Sequence, residues 1–189
     1  MNIVFDVDDI LWDLNGYICK KHNIPFENIR EFHIHDNKDT LTEKQQEILI
    51  AEYANADIYH NLDFYPAAYS IKDLPADVSI CTNTLTGKVA DVKRLRLENE
   101  LGIAQPDITV NVITVGQAKK KKLPEDVTYF VDDSPYNIMQ SHAKENILMR
   151  KPWNITDNAR KLMQGKNYRY FDTLDEIVDY LKDKIVTNL

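Results

Sequence analysis

The sequence has little that would tie it to an oxidising or membrane environment. Its 189 residues include two cysteines, Cys19 and Cys81, which stand far apart and match neither a zinc-ligand spacing nor a disulfide framework. No apolar run approaches the length needed to cross a membrane. The start of the chain lacks the basic region of a secretory signal, because Asp6 follows almost at once. We therefore expect a cytoplasmic protein that does not contact a membrane.

Positive charge is also scarce. Lys and Arg total 23 against 30 Asp and Glu, which gives a formal net charge of −7. This sign argues against a protein that coats a nucleic acid polymer or an anionic membrane. It leaves room for a small phosphorylated substrate, since a local basic group and a metal ion can reverse the local field. The 43% hydrophobic content is ordinary for a soluble globular chain with one core and a small appendage.

The most informative stretch lies at the start of the chain. The apolar residues 3–5 lead directly into Asp6, Asp8 and Asp9. A run without charge predicts a strand covered on both faces, as in a parallel sheet. Asp6 and Asp8 are two residues apart, so an extended backbone would project them to the same side. Crowded carboxylates resist ionising together, and Mg²⁺ relieves that repulsion. On its own, this pattern is more typical of a solvated acidic turn.

The rest of the chain divides into a helical insert and an alternating region. Residues 14–75 hold no clear strand. From residue 77 onward strands and helices alternate, which predicts a parallel sheet. The predicted strands cover 78–81, 108–115, 127–131, 147–149 and a short extended piece at 168–171. The predicted helices cover 14–22, 42–55, 67–74, 88–101, 136–144, 156–164 and an amphipathic C-terminal segment that begins near 173.

Three of the predicted strands end in polar residues that suit phosphate chemistry. In chain order, these residues are Asp6 and Asp8, then Thr82 and Asn83, then Asp132 and Asp133. Carboxyl ends of parallel strands share one edge of a sheet, so residues far apart in sequence can meet there. Each group alone indicates little more than a turn. Their order and spacing together indicate one functional site.

In these motifs the chain resembles the haloacid dehalogenase superfamily of phosphohydrolases. The likeness extends over the whole sequence, and within the superfamily the stretches 6–13, 62–68 and 131–135 are most similar to the 5′(3′)-deoxyribonucleotidases. The resemblance implies a Rossmann-like three-layer α/β sandwich around a central parallel sheet. It places the catalytic core in 1–13 and 76–189. Residues 14–75 would form a small helical cap inserted after the first strand.

The resemblance also implies a role for each acidic motif residue. Asp6 would attack phosphorus to form an aspartyl phosphate. Asp8 would protonate the leaving oxygen and later deprotonate water. A Mg²⁺ cofactor would be held by Asp6, by the backbone carbonyl of Asp8 and by one acid of the final pair. Asp133 is the expected direct ligand and Asp132 its support.

Phosphate binding requires hydrogen-bond donors and a cation. By resemblance, Thr82 and the backbone N–H of Asn83 would bind phosphoryl oxygens. Lys93 stands where the resemblance places the cation. Lys88 and the lysine run 119–122 are rivals, although a solvated surface charge is the favoured interpretation of that run.

Asp9 and the pair Asn83 and Thr84 depart from the patterns that the resemblance implies. Asp9 stands where Gly or Thr is usual, and its carboxylate either raises the pKa of neighbouring acids or faces solvent. Asn83 and Thr84 replace a Ser-Pro pair expected in the close relatives. This second departure weakens the transfer of fine substrate preference but leaves the reaction itself untouched.

The insert would choose the substrate. Aromatic faces suit nucleobases, and the candidates for stacking are Trp12, Phe32, Tyr59, Phe64 and Tyr65. Packing between cap and core is the more ordinary role for any one of them. Three histidines, His33, His35 and His60, could hydrogen-bond a substrate, but pairing with backbone carbonyls is the favoured interpretation.

The sequence therefore predicts a Mg²⁺-dependent phosphomonoesterase acting on (deoxy)nucleoside monophosphates. The same chemistry on a sugar phosphate is one alternative. A non-catalytic relative that binds a phospho-ligand or a protein is another, and it would be expected to lack Asp6 or Asp8. A response-regulator receiver also has clustered acids, but the long insert after the first strand argues against it. The base, the sugar position and a homodimeric state stay open.

Overall fold

The computed structural model describes residues 1–114 and 121–187, which form a six-stranded, all-parallel sheet flanked by helices. The strands are β1 Asn2–Phe5, β2 Asp77–Thr84, β3 Ile108–Val112, β4 Val127–Asp132, β5 Glu145–Met149 and β6 Tyr168–Phe171. The helices are α1 Leu14–His22, α2 Glu43–Tyr53, α3 Ala56–Asn61, α4 Gly87–Leu101, α5 Pro135–Gln140, α6 Asp157–Leu162 and α7 Leu174–Thr187. The strand order across the sheet is β3-β2-β1-β4-β5-β6. The predicted α/β fold class is confirmed.

Strand β1 lies inside the sheet because its side chains suit burial on both faces. Residues 3–5 are fully buried, as expected for a strand of a covered parallel sheet. Phe5 pairs in register with Ile80 of β2 and with Val131 of β4. The backbone N–H of Asp6 then donates to the carbonyl of Val131 at 2.8 Å. The residues that follow these positions consequently emerge along one edge of the sheet.

Residues 14–75 contain helices and no β-strand, as the sequence predicts. In addition to α1, α2 and α3 they include three 3₁₀ segments, Phe26–Asn28, Ile34–Asp36 and Pro66–Asp73. Thr42 and Gln45 form the predicted capping box at the start of α2. Glu52 on α2 accepts a hydrogen bond from Lys21 on α1 at 2.7 Å, which joins the first two helices of the insert.

Some element ends differ from the prediction. The helix predicted over 136–144 ends early, because Ser141 has an extended backbone and its hydroxyl accepts a hydrogen bond from the N–H of Ala143. The helix predicted over 67–74 is a 3₁₀ helix. The strand predicted over 108–115 ends at position 112, and residue 115 lies outside the described residues.

Within 1–114 and 121–187, none of the helices combines the length and the apolar character that a membrane-spanning segment needs.

Candidate active site

The carboxyl ends of β1, β2 and β4 form the floor of a cleft of about 470 Å³. The floor residues are Asp6, Asp8, Asp9, Thr82, Asn83, Lys121 and Asp133. A second part of the lining comes from the insert and includes Leu14, Asn15, Ile29, Phe32, Ile50, Tyr53 and Tyr59, which we call the wall. The structure therefore brings the three predicted strand-end motifs to one cleft, which the insert also lines.

Three buried carboxylates form a compact acidic cluster on this floor. Asp6, Asp132 and Asp133 each offer one oxygen, and these oxygens all lie within 4.8 Å of one another. Burial raises the pKa of Asp133 well above its usual range, and the neighbouring carboxylates of Asp132, Asp9 and Asp6 add to the shift. Burial also raises the pKa of Asp132 to about 6, although Lys121 opposes the change. Acids in such a place need a cation to stay ionised together.

The cluster fits a hard divalent cation. Its donors are carboxylate oxygens, which Mg²⁺ prefers. Asp6 Oδ1 is buried and pairs with Lys121 Nζ at 2.7 Å, and the same ammonium pairs with Asp132. One positive charge is thus shared by two of the three acids, and the remaining negative charge suits a cation. Asp6, Asp132 and Asp133 are therefore the residues that could hold a metal ion, and Asp8 stands beside them in sequence.

Lys121 lies at the centre of this cluster. Its Nζ atom is 2.7 Å from Asp6 Oδ1 and 2.7 Å from Asp132 Oδ2. Burial disfavours the charged ammonium, but the charges of Asp132 and Asp6 outweigh it and hold the pKa of Lys121 above its usual range. The stem also passes the Phe130 ring, whose centroid is 5.7 Å from Nζ. The ammonium thus balances part of the negative charge of the two acids.

The interpretation of the run 119–122 as solvated surface charge is wrong for Lys121, which is 5% exposed. Lys122 is exposed, as that interpretation requires, and residues 119 and 120 lie outside the described residues. A run of identical residues has no periodicity, so nothing in its pattern marks the one side chain that faces the sheet edge.

Lys93 reaches the site but contacts the second acid of the first motif. Its fully buried Nζ lies 2.5 Å from Asp8 Oδ2, 3.1 Å from the Asn83 carbonyl and 3.4 Å from Thr82 Oγ1. The indole N–H of Trp12 donates to Asp8 Oδ1 at 2.9 Å. Both oxygens of Asp8 therefore have a donor. Lys93 sits behind Asp8 rather than in the open cleft, where the predicted phosphate-binding role would put it.

The two acids of the final motif have different surroundings, and Asp132 is the more saturated. Its Oδ1 accepts from the N–H of Ser134 at 2.7 Å, and its Oδ2 accepts from Lys121 at 2.7 Å. The Asn137 amide donates to both oxygens, at 3.1 and 3.0 Å. Each oxygen of Asp132 thus accepts hydrogen bonds from two donors.

Asp133 is held by a loop that the sequence reading left without a role. Trp153 donates its indole N–H to Asp133 Oδ2 at 2.8 Å. The side-chain amide of Asn154 donates to the backbone carbonyls of Asp133 and Met149, at 2.9 and 2.8 Å. Trp153 and Asn154 lie in the loop that leaves the carboxyl end of β5 at Met149, at the same edge of the sheet as the other motifs. That position is the signal that could have marked them.

Asp9 is buried, so the interpretation that it faces solvent is wrong. It is 2% exposed, and its backbone φ of 59° lies in the left-handed region. Its carboxylate accepts hydrogen bonds from the backbone N–H and from the side-chain amide of Asn15, at 3.0 and 2.5 Å. Burial raises the pKa of Asp9 to about 7, against the opposing charge of Lys151. Its charge in turn contributes to the raised pKa of Asp133.

Two of the five aromatic candidates, Phe32 and Tyr59, line the cleft. Trp12 and Phe64 stack on each other with ring centroids 4.9 Å apart. Together with Tyr65 they lie outside the cleft lining found among the described residues. Trp12 and Phe64 join the loop that follows β1 to the insert, which is the packing role.

Histidines at two of the three candidate positions also line the cleft. They are His33 and His35, whereas His60 is exposed elsewhere. The His33 ring lies 4.4 Å from the ring of Tyr136 on α5. Sequence reasoning missed Tyr136 and Tyr53 as lining residues, since neither stands in a motif.

No family model and no curated protein matches the sequence. Two solved structures resemble the fold. A protein named as a haloacid dehalogenase-like hydrolase from Bacteroides fragilis has a TM-score of 0.50 and 14% identity, over 93% of this chain and 98% of its own. A phosphonoacetaldehyde hydrolase-like protein from Oleispira antarctica has a TM-score of 0.51 and 11% identity, over 96% and 91%. The chain therefore has the haloacid dehalogenase-like α/β fold.

Proposed function

We propose that the protein is a Mg²⁺-dependent phosphomonoesterase that hydrolyses (deoxy)nucleoside monophosphates through an aspartyl phosphate on Asp6. The observation that carries this proposal is the cluster of Asp6, Asp132 and Asp133 around Lys121, at the strand ends that form the floor of a cleft. A buried carboxylate beside a cation and a metal-binding acid pair is suited to attack phosphorus.

The acid cluster supports a choice of metal ligands. Asp6, Asp133 and the backbone carbonyl of Asp8 would hold Mg²⁺, which would offset the negative charge of the phosphoryl group and of the acids. Asp133 is favoured over Asp132 because both oxygens of Asp132 are already engaged by protein donors. Asp133 accepts one side-chain hydrogen bond, from Trp153. Asp132 would instead hold Lys121 in place.

The two acids of the first motif divide the chemistry between them. A carboxylate oxygen of Asp6 would attack phosphorus, and the bond to the ester oxygen would break as Asp8 gives that oxygen a proton. Asp8 would then take a proton from water, whose oxygen attacks the aspartyl phosphate and releases phosphate with free Asp6. Trp12 and Lys93 fix the Asp8 carboxylate at the edge of the cleft, where 23% of its side chain stays exposed.

Lys121 would bind the phosphoryl group that is transferred, in addition to its ion pair with Asp6. It lies in the cleft lining, whereas the fully buried Lys93 does not. A phosphoryl group attacked by Asp6 would therefore meet the Lys121 ammonium first. We assign the phosphate-binding cation to Lys121 and keep Thr82 and the Asn83 backbone N–H as the neutral donors.

The wall of the cleft supports a nucleoside as the leaving group. A volume of about 470 Å³ lies within the usual range of small-molecule sites. The wall presents the rings of Phe32 and Tyr53 together with His33 and His35. Tyr59 is 1% exposed and packs against Trp12. Aromatic faces can stack on a base, and polar ring atoms can hydrogen-bond its edge. The resemblance to 5′(3′)-deoxyribonucleotidases agrees with this choice.

Phosphate release from a panel of esters tests the proposal. Deoxynucleotides, ribonucleotides, sugar phosphates and nitrophenyl phosphate would each be assayed with Mg²⁺ and, after dialysis, with excess chelator. We expect the fastest specific turnover with nucleoside monophosphates and none with chelator. Fastest turnover of a sugar phosphate would change the substrate but keep the chemistry. Undiminished turnover in chelator would exclude the metal site, and binding without turnover would indicate a non-catalytic relative.

A further inference from the structure

Asp9 is a buried acid that the proposed chemistry does not use. Its φ of 59° lies in the left-handed region, which residues with a side chain seldom adopt. Its carboxylate is outside the acid cluster formed by Asp6, Asp132 and Asp133. Burial of a carboxylate is unfavourable unless the group is well hydrogen-bonded. The partners of Asp9 therefore show what the residue is for.

The hydrogen bonds of Asp9 lead from the catalytic loop into the insert. Asn15, in the first turn of α1, donates both its backbone N–H and its side-chain amide to the Asp9 carboxylate. The remaining oxygen of that amide, Oδ1, accepts from the Tyr53 hydroxyl at 2.5 Å. Tyr53 is the last residue of α2, and its carbonyl accepts from the Tyr59 hydroxyl of α3 at 3.1 Å. One chain of hydrogen bonds thus joins the residue after Asp8 to three helices.

Capping of α1 accounts for the backbone contact but not for the side-chain contacts. Asp13 accepts from the N–H of Gly16 at 3.1 Å, and Asp9 accepts from the N–H of Asn15 in the same first turn. The Asn15 side chain has a further task, because it connects Asp9 with Tyr53. Among the described residues this side chain carries the hydrogen-bonded link between the two, so a single substitution can cut it.

The series of hydrogen bonds that begins at Asp9 ends at the wall of the cleft. Asn15, Tyr53 and Tyr59 all line it. We propose that Asp9, Asn15 and Tyr53 form a positioning relay, which fixes the aromatic wall of the insert relative to Asp8. The relay would set how well the enzyme binds the part of the substrate beyond the phosphoryl group. The relay does not depend on what the substrate carries beyond its phosphoryl group. Only the use of a nucleotide to test the relay rests on the proposed function.

Kinetics with two substrates tests the relay. Tyr53→Phe keeps the ring and removes the hydroxyl, and Asp9→Gly suits the left-handed backbone and removes the carboxylate. We measure kcat/KM for the best natural ester of the panel and for nitrophenyl phosphate, whose single aryl ring offers fewer contacts beyond the phosphoryl group. We expect Tyr53→Phe to lower the ratio of the two values about 5-fold, the worth of one hydrogen bond, mainly through KM of the larger ester.

The double variant distinguishes a relay from separate contacts. If Asp9 and Tyr53 act through one chain, adding Tyr53→Phe to Asp9→Gly should change the ratio less than twofold. Additive losses, or an unchanged ratio in Tyr53→Phe, would overturn the proposal. Tyr180→Phe is the matched control, because it removes a tyrosine hydroxyl that donates to Glu145 on β5; its ratio should equal that of the wild type.

Amide hydrogen exchange tests the relay without any substrate. Cutting the relay should speed exchange at the start of α1 and the end of α2 in both Asp9→Gly and Tyr53→Phe, because local opening there becomes easier. Unchanged exchange in α2 of Asp9→Gly would contradict the link. If nucleotides prove not to be substrates while exchange responds as expected, the proposed function fails and the relay stands.

Discussion

The floor and the insert wall of the cleft consist of different kinds of side chain. The floor consists of charged groups at strand ends, where Lys121 lies 2.7 Å from both Asp6 and Asp132. The wall consists of rings and apolar side chains, such as Phe32 and Tyr53, which come from helices and irregular segments. Under the proposed function, the groups that would break the ester bond are therefore separate from those that would choose the substrate. Substitutions in the floor should affect every substrate, and those in the wall should affect substrates selectively.

Loss of the proposed nucleophile should have the largest effect. Asp6→Asn should lower turnover of every ester by at least about 1000-fold, because an amide is not a competent nucleophile here. The fold should persist, since the change reduces repulsion in the acid cluster. Phosphate release and circular dichroism would check both expectations. Retention of more than a few per cent of wild-type rate would mean that another residue is the nucleophile.

Removal of the floor cation should come next. Lys121→Gln should lower kcat about 100-fold for nucleotides and nitrophenyl phosphate alike, because it takes away a fixed charge beside the transferring group. Lys122→Gln is the matched control, as the adjacent lysine is exposed. Steady-state kinetics of both variants would decide the assignment. Similar losses in the two variants, or a near-normal Lys121→Gln, would return the role to Lys93.

The wall should respond in a substrate-dependent way. Phe32→Ala should lower kcat/KM for a nucleotide about 10-fold more than for nitrophenyl phosphate, through loss of a stacking contact. Tyr65→Ala should lower both equally, because Tyr65 is outside the cleft lining and acts through packing. Kinetics on both substrates compares them directly. A selective loss in Tyr65→Ala and an equal loss in Phe32→Ala would reverse the roles.

The smallest expected effect concerns the stability of the insert in acid. Burial alone would raise the pKa of Glu52, but hydrogen bonds from Lys21, Asn55 and His22 lower it to about 2. A lowered pKa stabilises the fold above the usual value of 4.5, and this contribution disappears as the pH falls through about 2. With allowance for solvent screening we expect about 1 kcal/mol.

Chemical denaturation of the wild type and Glu52→Gln between pH 7 and 2 measures this contribution. The difference in unfolding free energy should be largest above pH 4.5 and shrink toward pH 2. A difference that stays constant across this range would show that the ionised carboxylate does not stabilise the insert.

Sequence reasoning identified the floor better than the wall, for physical reasons. A buried strand has a recognisable apolar run, and parallel topology places its end beside the other strand ends, so Asp6, Thr82 and Asp132 could be grouped in advance. Lys121 could not be chosen from the run 119–122 as the cation of the site, because only the fold determines which lysine side chain faces the sheet edge. Lys93 was placed in the correct region, but helix spacing does not reveal that Asp8 is its partner.

The wall was harder to predict because its residues follow no period. Phe32 and His33 stand in an irregular segment, and Tyr53 is one of several aromatic residues in the insert. Trp12, another candidate for base stacking, instead donates its indole N–H to Asp8. Which ring faces the ligand is settled by tertiary packing rather than by composition.

We propose that Asp6 and Asp8 divide a two-step reaction, in which an aspartyl phosphate forms and is then hydrolysed. Asp8→Asn keeps the backbone carbonyl proposed to hold Mg²⁺, so metal and substrate should still bind. With nitrophenyl phosphate the first step needs little acid assistance, whereas the second still needs a base to activate water. The aspartyl phosphate should then accumulate.

Rapid quench of Asp8→Asn with nitrophenyl phosphate is the most direct test of this claim. We expect a burst of nitrophenol and a protein mass increase of one phosphoryl group, located on Asp6. A steady rate with no burst and no phosphorylated protein, although the metal still binds, would contradict it.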